Sequence, residues 1–221
     1  MKQYKFKIEY EGKFSYSWGY ALYSAFLEQL KEETAEEIHN GALFNQYITP
    51  KEWIVNTEKD FMFKDKYFLH KYNTEIWLKE MSVDSIREQQ FADRHLVNQP
   101  YKKNIRLNFL TPTTFKQDGA YVLYPTKDLI MQSLTNKWNQ WAKTFVLEDV
   151  EWNNCKISKY KLRSLSYNLK EIRIQGFVGS VDLFFWGSES MIRLGNMICN
   201  FSNYSGIGIK TTLGMGGAKV E

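Results

Sequence analysis

The sequence predicts an α+β fold made of two successive halves, each running from a strand through helix, further strands and another helix, a tandem ferredoxin-like plan. Three observations carry that reading. Residues 2–10 alternate apolar and charged side chains with a period of two, the mark of a half-buried strand, and lack the continuous apolar stretch of a secretory leader. A second succession of strand-like and helix-like patterns starts after residue 100. Pro100 and the cluster Lys102-Lys103-Asn104 punctuate the chain at that junction, where its charge changes sign. Residues 1–100 carry 13 basic and 16 acidic side chains, a net −3, whereas residues 101–221 carry 16 and 9, a net +7. Two domains are therefore expected, at 1–100 and 101–221.

In the first half, the opening strand is followed by a loop between Gly12 and Gly19. Residues 20–31 then place Leu22, Ala25, Phe26 and Leu30 at helical spacing. Thr34 is positioned to cap a second, short helix, with Glu36 and Glu37 in a first turn where the helix dipole favours acids, and Gly41 as its stop. Residues 44–55, 60–70 and 73–81 are rich in aromatic and β-branched side chains and read as strands. Residues 84–96 read as a helix capped by Asp84 or Ser85. In the second half, a strand at 104–110 leads to a helix at 126–145, a long hairpin at 154–186, a helix at 188–204 and a short final strand at 218–220. Two βαββαβ units in tandem are the ferredoxin-like pattern, the topology also used by RNA-recognition modules that bind on a sheet.

Composition bounds the function. With 43% hydrophobic and 16% aromatic residues the chain has the material for a packed core and is not a disordered segment. No stretch approaches 18 consecutive apolar residues, so no membrane span is expected. Cys155 and Cys199 are the only cysteines and lack any paired metal-ligand spacing, which fits reduced thiols in a cytoplasmic protein. No metal site or cofactor is expected. The net charge of +4 does not by itself announce nucleic acid, but a basic second half suits a surface that faces phosphates.

The densest motif closes the chain: Gly206-Ile-Gly208-Ile-Lys210-Thr211-Thr212-Leu213-Gly214-Met215-Gly216. Glycines this close let a backbone take positive φ and approach a ligand, and successive N–H groups in such turns make an anion-binding hollow. Lys210, Thr211 and Thr212 add a cation and hydroxyls, so Gly206, Gly208, Lys210, Thr211, Gly214 and Gly216 are candidate contacts for a phosphodiester. The run lacks the GxxxxGK[ST] spacing and follows a helix, which excludes the common nucleotide loops. On β-strand geometry, Lys159, Lys161 and Arg163 share one face of the long hairpin. A basic ladder of this kind suits an RNA backbone, and it equally suits a guarded strand edge.

The glycine run, together with Ile105-Arg-Leu-Asn-Phe-Leu-Thr-Pro-Thr-Thr-Phe115, Lys137-Trp138-Asn139, Gln175-Gly-Phe-Val-Gly-Ser-Val181, Leu22-Tyr23-Ser24-Ala25 and Ile38-His39-Asn40, resembles the CRISPR-associated endoribonucleases that cut precursor CRISPR RNA within its repeats. The likeness is strong from Ile105 onward, fair from Met1 to Pro50 and thin between Trp53 and Tyr101. It implies a metal-independent enzyme that binds repeat RNA, acting alone, as a homodimer or beside other subunits of a CRISPR effector complex. By the same likeness His39 falls where the family places its catalytic histidine, an imidazole being suited to acid or base work near neutral pH. Tyr23 occupies the region of a helper tyrosine, with Tyr20 one turn earlier. Members that add a lysine several residues beyond the histidine depart from this chain, which reads Phe44-Asn45-Gln46-Tyr47 there; Lys51 is the next lysine downstream, and Lys210 of the glycine run is the other candidate for that charge. Without that cation, a catalytically inactive subunit that only holds repeat RNA is the alternative. His70 and His95 read as structural.

Overall fold

The computed structural model describes residues 1–39 and 43–221. In the first half, β1 (Lys2–Tyr10), β2 (Phe44–Ile48), β3 (Glu52–Thr57), β4 (Lys66–Leu69) and β5 (Thr74–Ser85) form one antiparallel sheet in the order β2-β3-β1-β5-β4. Helix α1 (Trp18–Leu27) and helix α2 (Glu32–His39) follow β1. Alternation on β1 sends Tyr4, Phe6 and Ile8 inward, where they meet Leu22 and Phe26 of α1 and Trp53 and Val55 of β3.

Several expected elements shift for identifiable reasons. The strand expected at 44–55 is a hairpin: Pro50 cannot donate to a ladder, and the Thr49 hydroxyl accepts from the Lys51 and Glu52 N–H groups to close the turn. Of the strand expected at 60–70, only Lys66–Leu69 pairs. Phe61 and Phe63 instead fold over the sheet; Phe63 lies 4.8 Å from Phe6 and 5.2 Å from Phe26, ring centre to ring centre. These rings occupy the place in the plan where a second helix would stand. Strand β5 runs on to Ser85 because β1 keeps pairing with it, Gln3 opposite Asp84, so α3 (Glu88–Asp93) starts later than expected and ends in a π turn at Arg94–Asn98. Helix α2 begins at Glu32, which puts Thr34 inside it rather than at its cap. The proposed stop at Gly41 lies outside the described residues.

The second half follows the ferredoxin-like plan closely. Strands β6 (Asn104–Thr113), β9 (Cys155–Leu169), β10 (Ile172–Phe185) and β11 (Ala218–Val220) lie in the order β11-β6-β10-β9, so the last strand flanks the first. A small hairpin, β7 (Phe115–Gln117) and β8 (Ala120–Val122), precedes α4 (Lys127–Trp141). The Thr126 hydroxyl caps α4 by accepting from the Leu129 N–H, and Ser188 does the same for α5 (Glu189–Ser205) from Met191. Ile105, Leu107 and Phe109 of β6 pack with Leu134 and Trp138 of α4 and Phe201 of α5; Phe91 of α3 enters this core, not the first. No helix among the described residues is long and apolar enough to cross a membrane.

The two halves are bound to each other. The far end of the β9–β10 hairpin docks on the start of α1, where Tyr167 and Ile174 cluster with Met215, Tyr16 and Tyr20. Gln3 donates to the Asn203 carbonyl at 2.8 Å and Gln46 to the Thr212 carbonyl at 3.2 Å.

Candidate active site and nucleic-acid interface

Helix α2 is short and presents one buried apolar side chain, Ile38, which anchors its last turn in the first core. The next residue, His39, is exposed at the helix end. Beneath it, Tyr23 of α1 is buried, and its hydroxyl lies 3.2 Å from His39 Nδ1. Burial, and then the neighbouring Tyr20, hold the Tyr23 hydroxyl above the ordinary phenol range, so it is a neutral phenol at neutral pH. That contact occupies one ring nitrogen and leaves Nε2 for chemistry. When Nδ1–H donates to the Tyr23 oxygen, Nε2 is free to accept a proton, and the imidazolium so formed keeps that contact and can give the proton back from Nε2. The same pair therefore serves an acid or a base. Tyr20 instead lies in the cluster at the hairpin tip.

Lys51 is not brought to this pair. It sits in the turn that closes β2 and β3, while His39 precedes the opposite end of β2. The five residues of β2 separate the two ends by roughly 15 Å. A lysine of the second half shares a cavity wall with Leu43, Phe44 and Asn45 instead. Lys137 of α4 donates to the Ser205 carbonyl and to the Thr211 hydroxyl, each at 3.0 Å, and burial lowers its pKa to about 7. Sequence reasoning passed over its role, although a signal existed: Lys137 follows Ile130 by seven residues and Leu134 by three, so it lies beside the apolar stripe of an amphipathic helix.

The glycine run turns out to be built for packing. At Gly208, with φ of 82°, a Cβ would stand 2.4 Å from the Thr114 carbonyl oxygen. At Gly214, with φ of 99°, it would stand 2.6 Å from the Tyr167 hydroxyl and 2.9 Å from Gly19 Cα. Gly206 and Gly216 are likewise buried. The expected open cradle is thus corrected, because most of the loop's N–H groups bond within the protein. Gly208 N donates to Ser133, Ile209 N to Thr114 O, and Gly216 N to Pro112 O. Thr212 turns its hydroxyl to the Phe44 carbonyl at 3.0 Å. Lys210, in left-handed backbone, is partly exposed and forms no side-chain hydrogen bond or ion pair among the described residues. The loop ties the two halves together and leaves Lys210 as its outward cation.

On β9, an unbroken register puts Lys159 opposite Asp182, Lys161 opposite Ser180 and Arg163 opposite Val178, so the three exposed cations do share a face. Lys161 and Arg163 line a groove of about 580 Å³ with Asn108, Ser180 and Lys219. Among the described residues, no group of three or more His, Cys, Asp or Glu side chains is gathered to hold a metal ion.

The sequence profile of the CRISPR-associated endoribonuclease Cas6 family matches residues 107–218. A Streptococcus thermophilus CRISPR-associated endoribonuclease Cas6 is 30% identical over 222 residues, covering 88% of this chain and 88% of that protein. The chain belongs to the Cas6 endoribonuclease family. A Mycobacterium tuberculosis Cas6 endoribonuclease is also 30% identical, over 141 residues that span 60% of this chain and 43% of that longer protein. Among solved structures, a Cas6 product complex superposes with a TM-score of 0.78 at 18% identity, covering 100% of this chain and 99% of that one. A Thermus thermophilus Cas6 gives 0.73 at 22% identity, covering 100% and 98%. At such identities these structures speak to the fold, and the tandem ferredoxin-like architecture of the family is the one this chain adopts.

Proposed function

We propose that this Cas6 endoribonuclease cuts precursor CRISPR RNA within each repeat, without a metal ion, by attack of the 2′-hydroxyl on the adjacent phosphate. The new P–O bond forms as the bond to the 5′-oxygen breaks, leaving a 2′,3′-cyclic phosphate and a 5′-hydroxyl end. The single observation that carries this reading is the Tyr23–His39 contact, which holds an exposed imidazole by one nitrogen and leaves the other for proton transfer. His39 moves the proton and Tyr23 orients it. Lys210, Lys159, Lys161 and Arg163 face the RNA backbone, while the glycines of the loop position Lys210. The relatives of known structure include Cas6 proteins solved with product and with a substrate mimic, which favours RNA as the ligand here. We place the reaction in the cytoplasm, where the buried free thiols of Cys155 and Cys199 stay reduced.

A second reading, a subunit that holds repeat RNA without cutting it, draws on the distance between Lys51 and His39. Incubating the protein with end-labelled repeat RNA in EDTA separates the two. Cutting at one site, lost when the nucleotide 5′ of the cut is 2′-deoxy, is the expected result. Binding without cutting would favour the silent subunit, and a need for Mg²⁺ or cutting of the deoxy RNA would reject the mechanism.

A further inference from the structure

Lys137 is a buried cation without an anion. Both of its acceptors, the Ser205 carbonyl and the Thr211 hydroxyl, are neutral, and it forms no ion pair among the described residues. An ammonium carries three N–H donors, so one is left over. Ser205 and Thr211 line a cavity of about 100 Å³ together with Leu43, Phe44, Asn45 and Gln140, which sets the ammonium in its wall. That volume is the share of about three liquid waters, enough for one phosphate group. Its place is as telling as its chemistry. Leu43 follows His39 by four residues, so their Cα atoms are at most about 14 Å apart. The cavity thus adjoins the stretch Phe44-Asn45-Gln46-Tyr47, which has no cation of its own.

We propose that Lys137 binds an RNA phosphate next to the cleavage point, so that the second half supplies the cation that the first half lacks beside His39. The proposal rests on the cleavage reading above. Burial with only neutral partners disfavours the charged ammonium and brings its pKa to about 7. A phosphate in the cavity would restore the charge and use the third donor. The competing role is purely structural: the contact with Ser205, the last residue of α5, is also what a cation near a helix C-terminus would make.

Four measurements on Lys137→Met, with Lys137→Arg beside it, decide between them. Binding of repeat RNA to Lys137→Met should show a salt slope shallower by about 0.7, the value for one phosphate of a single strand. Its single-turnover rate at saturating RNA should fall about 10-fold or more, as for loss of a charge-assisted contact. Lys137→Arg should keep the slope. In repeat RNAs with one methylphosphonate near the cut, a single position should weaken binding to the wild type and have no further effect on Lys137→Met. Without RNA, inorganic phosphate should raise the melting temperature of the wild type and not that of Lys137→Met. Equal slopes, rates and phosphate responses in wild type and Lys137→Met would overturn the proposal. A Lys137→Met variant that only melts earlier would leave Lys137 as a cap for α5. If the wild type itself neither binds nor cuts repeat RNA, the cleavage reading falls, and the phosphate arm still decides whether Lys137 holds an anion.

Discussion

In the second half, two long helices lie over a four-stranded sheet, each capped by a hydroxyl and each contributing several buried side chains. In the first half, a ten-residue helix, a short helix held by Ile38 and a loop carrying Phe61 and Phe63 cover a five-stranded sheet. The same plan is thus filled with different material. Regular packing in the second half provides a frame from which the hairpin tip reaches the start of α1 and to which the glycine run is tied. The candidate catalytic histidine sits at the end of the α-helix that, among the described residues, buries the fewest side chains. Local stability follows buried apolar contacts, so the end of α2 should open more readily than α4 or α5. A site that must admit RNA and release product benefits from that difference. The cost is that His39 depends on Tyr23, a residue of another helix, for its orientation.

The largest effect expected on the first half is catalytic. His39→Ala should lower single-turnover cleavage by about 10²–10⁴-fold with little change in repeat binding. Near-normal cutting by this variant would move the active site away from α2.

The next tests the frame. Gly208→Val places a β-branched residue at φ of 82° and a Cβ 2.4 Å from the Thr114 carbonyl. It should cost about 3–5 kcal/mol in denaturant unfolding, combining backbone strain and overpacking. The folded fraction should keep its RNA salt slope. Unchanged stability with lost affinity would restore the loop to a phosphate cradle.

A smaller effect concerns acid. His95 lies in the second core against Phe91, and burial, then Arg94, lowers its pKa from 6.5 to about 4. Between those values the unfolded chain binds a proton that the native state does not, so stability falls as pH falls from about 6.5 towards 4. Full loss amounts to on the order of 3 kcal/mol. Comparing wild type with His95→Phe at pH 7 and pH 4.5 isolates this contribution, which should be absent in the variant. Parallel pH profiles for the two proteins would show that His95 is not the group concerned.

The smallest separates orientation from chemistry. Tyr23→Phe removes one hydrogen bond to His39 and keeps the buried ring. A loss of about 1 kcal/mol corresponds to a rate lower by about 5-fold. A drop as large as that of His39→Ala would make Tyr23 a direct participant rather than a positioning residue.

Much of the second half was legible because its signals are local. The final strand at Ala218–Val220 coincides with its predicted span, and α5 begins one residue after its cap at Ser188. The first half was less legible between 44 and 98. There aromatic residues occur equally in strands and in loops that cover a sheet, and periodicity could not tell Phe61 and Phe63 from strand residues.

For the candidate site, the sequence by itself determined the residue types: an imidazole at a helix end, a tyrosine on the helix before it, a glycine run and a basic hairpin face. Spacing of two along a strand is enough to align Lys159, Lys161 and Arg163. The tertiary structure decided everything that depends on contacts distant in sequence. It joined Tyr23 to His39 across 16 residues and left Lys51 at the far end of a hairpin. It brought Lys137 to Thr211 across 74 residues and filled the space beside the glycines with protein. A glycine's φ can be anticipated from local sequence. What stands where its side chain would be is set by how two distant segments pack, and no local pattern encodes that.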